Sequence, residues 1–165
     1  MASDYFRVFA RYNRWANTRL YDACAQLSDA DRRQDRKAFF GSVHNTLNHL
    51  LVGDRIWMGR FTGTDSGIKA LNQILFDDFA ALRRAREMED DRIQVYVEGC
   101  DEAKLAAALD FKSMDGTASS MPLAQVLGHF FNHQTHHRGQ VHAMLSQAGV
   151  AAPSLDLIAF LREKR

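Results

Sequence analysis

Four long stretches of the sequence carry apolar residues at alternating steps of three and four, the spacing that places side chains on one face of an α-helix. They run from about Asp4 to Leu27, Ser42 to Phe61, Phe76 to Val97, and Ser120–Pro122 to Ala148. Helices of this length pack best as a four-helix bundle, so the sequence predicts an all-α fold.

Capping residues support these limits. Ser42 follows Gly41 and suits the N-cap of the second helix, and Gly149 suits the end of the last one. Ser28 predicts a new capped turn after the first helix. Ser154 predicts the start of a short terminal helix over Leu155–Leu161.

The helical pattern breaks down before the last long helix. Asp101–Leu109 predicts a short helix, and the Asp115-Gly116 pair is a strong signal for a tight turn. The flanking segments, Asp110–Met114 and Thr117–Met121, therefore predict a small hairpin or an irregular segment at this point. We expect one domain over residues 1–165.

Charge gives no indication of a polyanionic partner. The chain has 21 lysines and arginines against 20 acidic residues, a net charge of +1. We therefore expect neither nucleic acid nor an anionic membrane surface as a partner. Arg83, Arg84 and Arg86 are followed closely by acidic residues, which predicts a solvated helix face.

Cysteine content and hydropathy predict a cytoplasmic protein. Cys24 and Cys100 are too few for a disulfide framework, and we expect both to be buried as small apolar residues. Charged residues run through the N-terminal segment, so no signal peptide is expected. No apolar run approaches the roughly 20 residues needed to span a bilayer.

Histidines are concentrated on the last long helix. His133 and His137 are i and i+4 neighbours, so both side chains can reach one metal ion. His137 lies within the apolar stripe of that helix and His133 at its edge, whereas His129 and His136 fall further outside and His142 lies on the opposite flank. The pattern alone leaves open that the pair is buried and bonded to neighbouring polar groups.

A third ligand would have to come from the second helix, which offers His44 and His49. His49 lies deeper in the helix, beside Val52 and Ile56 by helical steps. His44 lies in the first turn, and we expect it to be solvated or associated with the helix end.

Several segments resemble the DinB-like family. They are Tyr12-Asn13-Arg14-Trp15-Ala16-Asn17, the stretch from Asn48 to Trp57, the stretch from Asn132 to Gln140, and the ending Pro153-Ser154-Leu155-Asp156-Leu157. The resemblance implies a four-helix bundle that holds one divalent metal ion, nickel or zinc. Carried over by position, the implied ligands are His49, His133 and His137.

The resemblance also implies an activity. Similar proteins include transferases and isomerases that use low-molecular-weight thiols such as bacillithiol, mycothiol or glutathione. A metal-bound thiolate would attack an electrophilic carbon of a small-molecule substrate, and no cysteine of the chain would be needed as the nucleophile. Relatives often form homodimers, which the apolar content of several helix faces permits.

Two alternatives remain. A metal-dependent hydrolase would use metal-bound hydroxide and a general base, for which Asp54 is the candidate. We favour instead a buried pair between Asp54 and an arginine such as Arg14 or Arg138. A non-catalytic protein that binds a metal or a small ligand would share the same three histidines, and turnover data would separate it from the enzymes.

Other polar and aromatic residues can also be placed from the helical pattern. Asn13 either points toward the site or makes a capping or interhelical hydrogen bond, and Gln140 either lines the pocket or bonds a histidine outside the ligand set. Trp15 and Trp57 are predicted to be core residues, and Arg138 to form an interhelical ion pair.

Overall fold

In the computed structural model, residues 1–163 form a helical bundle with a small hairpin inserted before the last long helix. The long helices are α1 (Ala2–Cys24), α3 (Val43–Thr62), α4 (Phe79–Glu98) and α6 (Leu123–Gln147). The short helices are α2 (Asp29–Arg33), α5 (Glu102–Ala106) and α7 (Leu157–Glu163). The strands β1 (Ala108–Lys112) and β2 (Ala118–Pro122) pair antiparallel. The predicted four-helix bundle with a hairpin is confirmed.

Capping side chains set the limits of the helices that carry the site. The Ser42 hydroxyl accepts a hydrogen bond from the backbone N–H of Asn45, as predicted, and Gly63 ends α3 with a φ of 69°. The predicted start of the third long helix at Phe76 is wrong. Asp78 is the N-cap, because its carboxylate accepts a hydrogen bond from the N–H of Ala81 at 2.7 Å.

The hairpin lies close to its predicted position but with different strand limits. Its strands end sooner on the turn side because residues 113–117 are bonded among themselves. The Ser113 N–H donates to the carbonyl of Thr117 at 2.9 Å, and the Gly116 N–H donates to the carbonyl of Ser113 at 3.0 Å. Gly116 has a φ of 89°, a conformation that glycine adopts without strain. The short helix predicted over Asp101–Leu109 is observed only over Glu102–Ala106, because Ala108 and Leu109 belong to β1.

The bundle core is apolar at both ends. One apolar cluster includes Leu20, Leu47 and Leu145, and a second includes Phe130 and Val97. Both cysteines are buried, as predicted.

Two other helices differ from their predicted limits. The terminal helix begins two residues later than expected, and α1 ends at Cys24, before the predicted limit. Within residues 1–163, no helix combines the length and apolar character required to cross a membrane.

Charged side chains occupy the middle of the bundle. Arg86 is 2% exposed, so its assignment to a solvated face is wrong. Its guanidinium forms ion pairs with the carboxylates of Asp54 and Asp90, both buried. The pair with Asp54 joins α3 to α4, and the two carboxylates together explain why a charged residue can lie inside the bundle.

The partners of two other predicted residues differ from expectation. Asp54 is in a buried pair, but its arginine is Arg86 rather than Arg14 or Arg138. Arg138 contacts no carboxylate within ion-pair distance in the described part of the chain, and it donates hydrogen bonds to the side-chain oxygens of Asn13 and Asn17. The interhelical hydrogen bond predicted for Asn13 is confirmed, because its Nδ2 also donates to Asp90 Oδ1 at 3.2 Å. Neutral amide oxygens thus replace the predicted acid beside Arg138.

Candidate metal centre

Three histidines from two helices meet at one point. His49 comes from α3, and His133 and His137 come from consecutive turns of α6. The Nε2 atom of His49 lies 3.2 Å from the Nε2 atoms of both His133 and His137. One nitrogen of each ring can face a shared ion, since the three nitrogens lie within 4.8 Å of one another. The structure therefore contains a cluster that can hold a metal ion.

Two of these rings are oriented by hydrogen bonds at the opposite nitrogen. His49 Nδ1 lies 2.8 Å from the carbonyl oxygen of Leu71, which can only accept, so Nδ1 carries the proton. His137 Nδ1 lies 2.8 Å from Gln140 Oε1, and the same reasoning applies. The Nε2 lone pairs are then free to coordinate, as in metal sites whose histidines are held by outer hydrogen bonds. Of the two places predicted for Gln140, the contact with a histidine beside the cluster is confirmed, because Gln140 Nε2 lies 3.1 Å from His136 Nε2.

Burial keeps the imidazoles neutral. Loss of solvent lowers the pKa of His133 to about 3, and the neighbouring His137 and His49 lower it further. The pKa of His137 is lowered to about 4, again chiefly by burial, although the hydrogen bond to Gln140 opposes the shift. Burial also lowers the pKa of His49. Neutral rings are the form that binds a cation, so protons do not compete at neutral pH.

Gly53, within α3, and Phe40, just before it, shape the cluster. A Cβ atom at Gly53 would lie 2.9 Å from His133 Cε1, so the absence of a side chain there lets α6 place its histidine against α3. The ring of Phe40 stacks on His49 at a centroid distance of 3.8 Å. Sequence reasoning gave no role to Phe40 or Leu71, because both lie outside the periodic helical segments.

The remaining histidines lie outside the cluster. His44 is buried rather than solvated, and its Nε2 lies 3.2 Å from Asn48 Nδ2. His142 Nε2 lies 3.1 Å from the carbonyl oxygen of Pro153, on another face of α6. His136 contacts Gln140, and His129 lies one turn before His133.

A cavity of about 410 Å³ opens beside His49 and His133 and extends toward the hairpin. Its other lining residues are Gly53, Ile56, Trp57, Arg60, Leu71, Ser113, Met114, Asp115 and His129. Trp57, predicted to be a core residue, is only half-buried and forms part of this wall. The histidine cluster therefore borders a space large enough for a small molecule.

The fold and the cluster together define a class of helical-bundle protein with a candidate single-metal centre built from three histidines. The sequence matches the DinB family over residues 1–165, and the chain belongs to that family. It is 28% identical over 166 residues to Protein DinB of Bacillus subtilis strain 168, covering 96% of this chain and 95% of that protein. The resemblance inferred from the sequence is confirmed.

A solved structure supports the fold. The crystal structure of a DinB-like protein from Bacillus cereus aligns with a TM-score of 0.69 at 18% sequence identity. The alignment covers 87% of this chain and 91% of that one. At this identity the likeness extends to the fold alone.

Proposed function

We propose that His49, His133 and His137 bind one divalent metal ion, nickel or zinc, and that the protein is a thiol-dependent transferase acting on small electrophilic molecules. One observation carries the proposal: three Nε2 atoms from two helices meet beside a cavity. Three protein ligands are typical of catalytic rather than structural zinc sites. Imidazole nitrogens also suit nickel.

The residues present fit such an ion. The Nδ1 atoms of His49 and His137 are held by acceptors, and the rings are neutral at physiological pH. When bound, the ion would act as a Lewis acid and lower the pKa of a thiol that it coordinates. The chain itself orients the ligand rings and lines the cavity beside them with apolar side chains, including those of Ile56 and Leu71.

The thiol in this proposal belongs to a small molecule. Burial raises the pKa of Cys24 to about 12 and also raises the pKa of Cys100. Neither cysteine lines the cavity beside the histidines. A low-molecular-weight thiol that enters this cavity would supply the sulfur nucleophile, as the resemblance to thiol-dependent relatives implies.

The structure favours this reading over a hydrolase that uses Asp54 as its base. The carboxylate of Asp54 is fully buried, pairs with Arg86 and accepts a hydrogen bond from Gln134. Asp54 does not line the cavity. Its carboxylate is therefore engaged within the bundle core and is not positioned to remove a proton from water in the cavity.

Thiol conjugation tests the proposal. The protein is loaded with zinc or nickel, and the rates at which glutathione and bacillithiol react with 1-chloro-2,4-dinitrobenzene are measured. We expect acceleration by the parent that is lost in a His133→Ala, His137→Ala double variant. A His142→Ala variant is the matched control, because His142 is on α6 but outside the cluster. Metal-loaded protein that accelerates none of these reactions, or that only hydrolyses esters, would overturn the assignment.

A further inference from the structure

The cavity continues beyond the histidines along two helices. On α3 its wall is formed by His49, Gly53, Ile56 and Arg60, at successive steps of four, three and four. At a rise of 1.5 Å per residue, His49 and Arg60 are about 16 Å apart along the helix axis. On α6, His129 faces the far end of the cavity, where its ring lies 5.2 Å from that of Trp57. The space is therefore elongated, with the histidine cluster toward one end.

The far end carries a cation without a counter-ion. The Arg60 guanidinium lies 4.3 Å from the centre of the Trp57 ring and 5.4 Å from that of Phe111. Within residues 1–163, no carboxylate lies within ion-pair distance of Arg60, whereas Arg55 on the same helix pairs with Glu89. Burial lowers the pKa of Arg60. A partly desolvated guanidinium that borders a cavity is suited to bind a carboxylate in its fork of N–H donors.

Asp115 is the acidic residue that lines this cavity, and its carboxylate does not lie within ion-pair distance of Arg60. Its Oδ1 accepts hydrogen bonds from the Ser113 hydroxyl and from the N–H of Thr117, within the hairpin turn. Between Arg60 and the histidine cluster the walls are mainly apolar, with side chains of Ile56, Leu71 and Met114. A complementary ligand would have an apolar middle and an anionic end.

We propose that this cavity binds a small organic carboxylate, with the carboxylate held by Arg60 beside Trp57 and the rest of the molecule extending toward His49 and His133. The identity of the reacting end rests on the proposed function, but the contact at Arg60 does not. The carboxylate belongs either to the thiol or to the electrophile, and this difference can be measured.

Calorimetry with matched probes tests the contact at Arg60. Dissociation constants are measured for 6-mercaptohexanoate, 6-mercaptohexanol and hexanoate, with and without zinc. We expect the parent to bind the mercaptocarboxylate at least tenfold more tightly than the alcohol. Arg60→Gln should remove this preference, and Arg60→Lys should restore part of it. Arg84→Gln is the charge-matched control, because Arg84 is exposed on α4 and does not line the cavity.

Two results would overturn the proposal: equal binding of acid and alcohol by the parent, or equal losses in Arg60→Gln and Arg84→Gln. The zinc comparison addresses the proposed function separately. If zinc tightens 6-mercaptohexanoate but not hexanoate, one molecule can place its sulfur at the metal and its carboxylate at Arg60, as a thiol that carries a carboxylate would. If zinc changes neither while the effect of Arg60 persists, the carboxylate site stands and the thiol chemistry fails.

Discussion

The Nε2 atoms of His49 and His133 lie 3.2 Å apart although the two residues are separated by 84 positions in the sequence. His133 and His137 are brought together by the helix itself, since they are one turn apart. The distance to His49 depends instead on how closely α3 and α6 approach. Gly53 sets that approach, because its face of α3 lies against the His133 ring.

A methyl group at position 53 should weaken metal binding. The Cβ atom of Gly53→Ala would lie 2.9 Å from His133 Cε1, so the imidazole has to shift away from its place against α3. We expect a tenfold or greater loss of zinc affinity, measured by competition with a chromophoric chelator, with helix content unchanged by circular dichroism.

Gly128→Ala is the control for that substitution. Position 128 is also helical, and a Cβ atom there meets no other atom within 4 Å. We expect unchanged zinc affinity and a gain in stability of about 0.5–1 kcal/mol, because alanine is the better helix former. Equal zinc affinities for Gly53→Ala, Gly128→Ala and the parent would contradict the role of Gly53.

Removing the acceptor behind His137 should also weaken metal binding. Gln140→Leu deletes the oxygen that lies 2.8 Å from His137 Nδ1, so the ring loses its fixed orientation. Loss of such outer contacts costs roughly 10–100-fold in metal affinity in other proteins. We expect a similar loss here, with Gln140→Glu retaining an acceptor and most of the affinity. If Gln140→Leu binds zinc as tightly as the parent, the hydrogen bond does not orient the ligand.

Much of this arrangement could be predicted from the sequence. Apolar periodicity indicated the four long helices, and the spacing of His133 and His137 indicated that they face one point. Ser42 marked the start of α3 because a serine before an apolar periodic segment is a strong capping signal. The choice of His49 over His44 depended on the family resemblance, because the helical pattern alone left both histidines of the second helix as candidates.

Other features could not be predicted because they arise between segments. The carbonyl of Leu71 that holds His49 is a backbone group in a loop, which no side-chain pattern reveals. Arg86 was assigned to the surface because acidic residues follow it, yet two of its partners are buried carboxylates, Asp54 on another helix and Asp90 one turn away. Charge patterns along one helix do not show which charges a neighbouring helix will cover.

The buried carboxylate of Asp54 predicts a pH dependence of stability. Burial raises its pKa to about 6, and the Arg86 guanidinium opposes part of this rise. The folded-state pKa exceeds the unfolded value of about 3.9, so the folded state holds the proton more tightly. This contribution to stability is present below about pH 4 and is lost as the pH rises through about 6.

Asp54→Asn isolates that contribution, because asparagine does not ionise. From pH 4 to pH 7, the free energy of unfolding of the parent should fall relative to the variant by roughly 2 kcal/mol, because most of the two-unit difference in pKa is lost over this interval. Urea unfolding at a series of pH values measures the difference. Parallel pH profiles for the two proteins would show that the Asp54 pKa is the same in the folded and unfolded chains.

Metal content tests the central claim most directly. The parent, the His133→Ala, His137→Ala double variant and the His142→Ala control are purified, reconstituted with zinc or nickel, dialysed, and analysed for bound metal. We expect about one equivalent in the parent and in His142→Ala, and none in the double variant. A parent that retains no metal, or a double variant that retains as much as the parent, would contradict the assignment of His49, His133 and His137 as a metal centre.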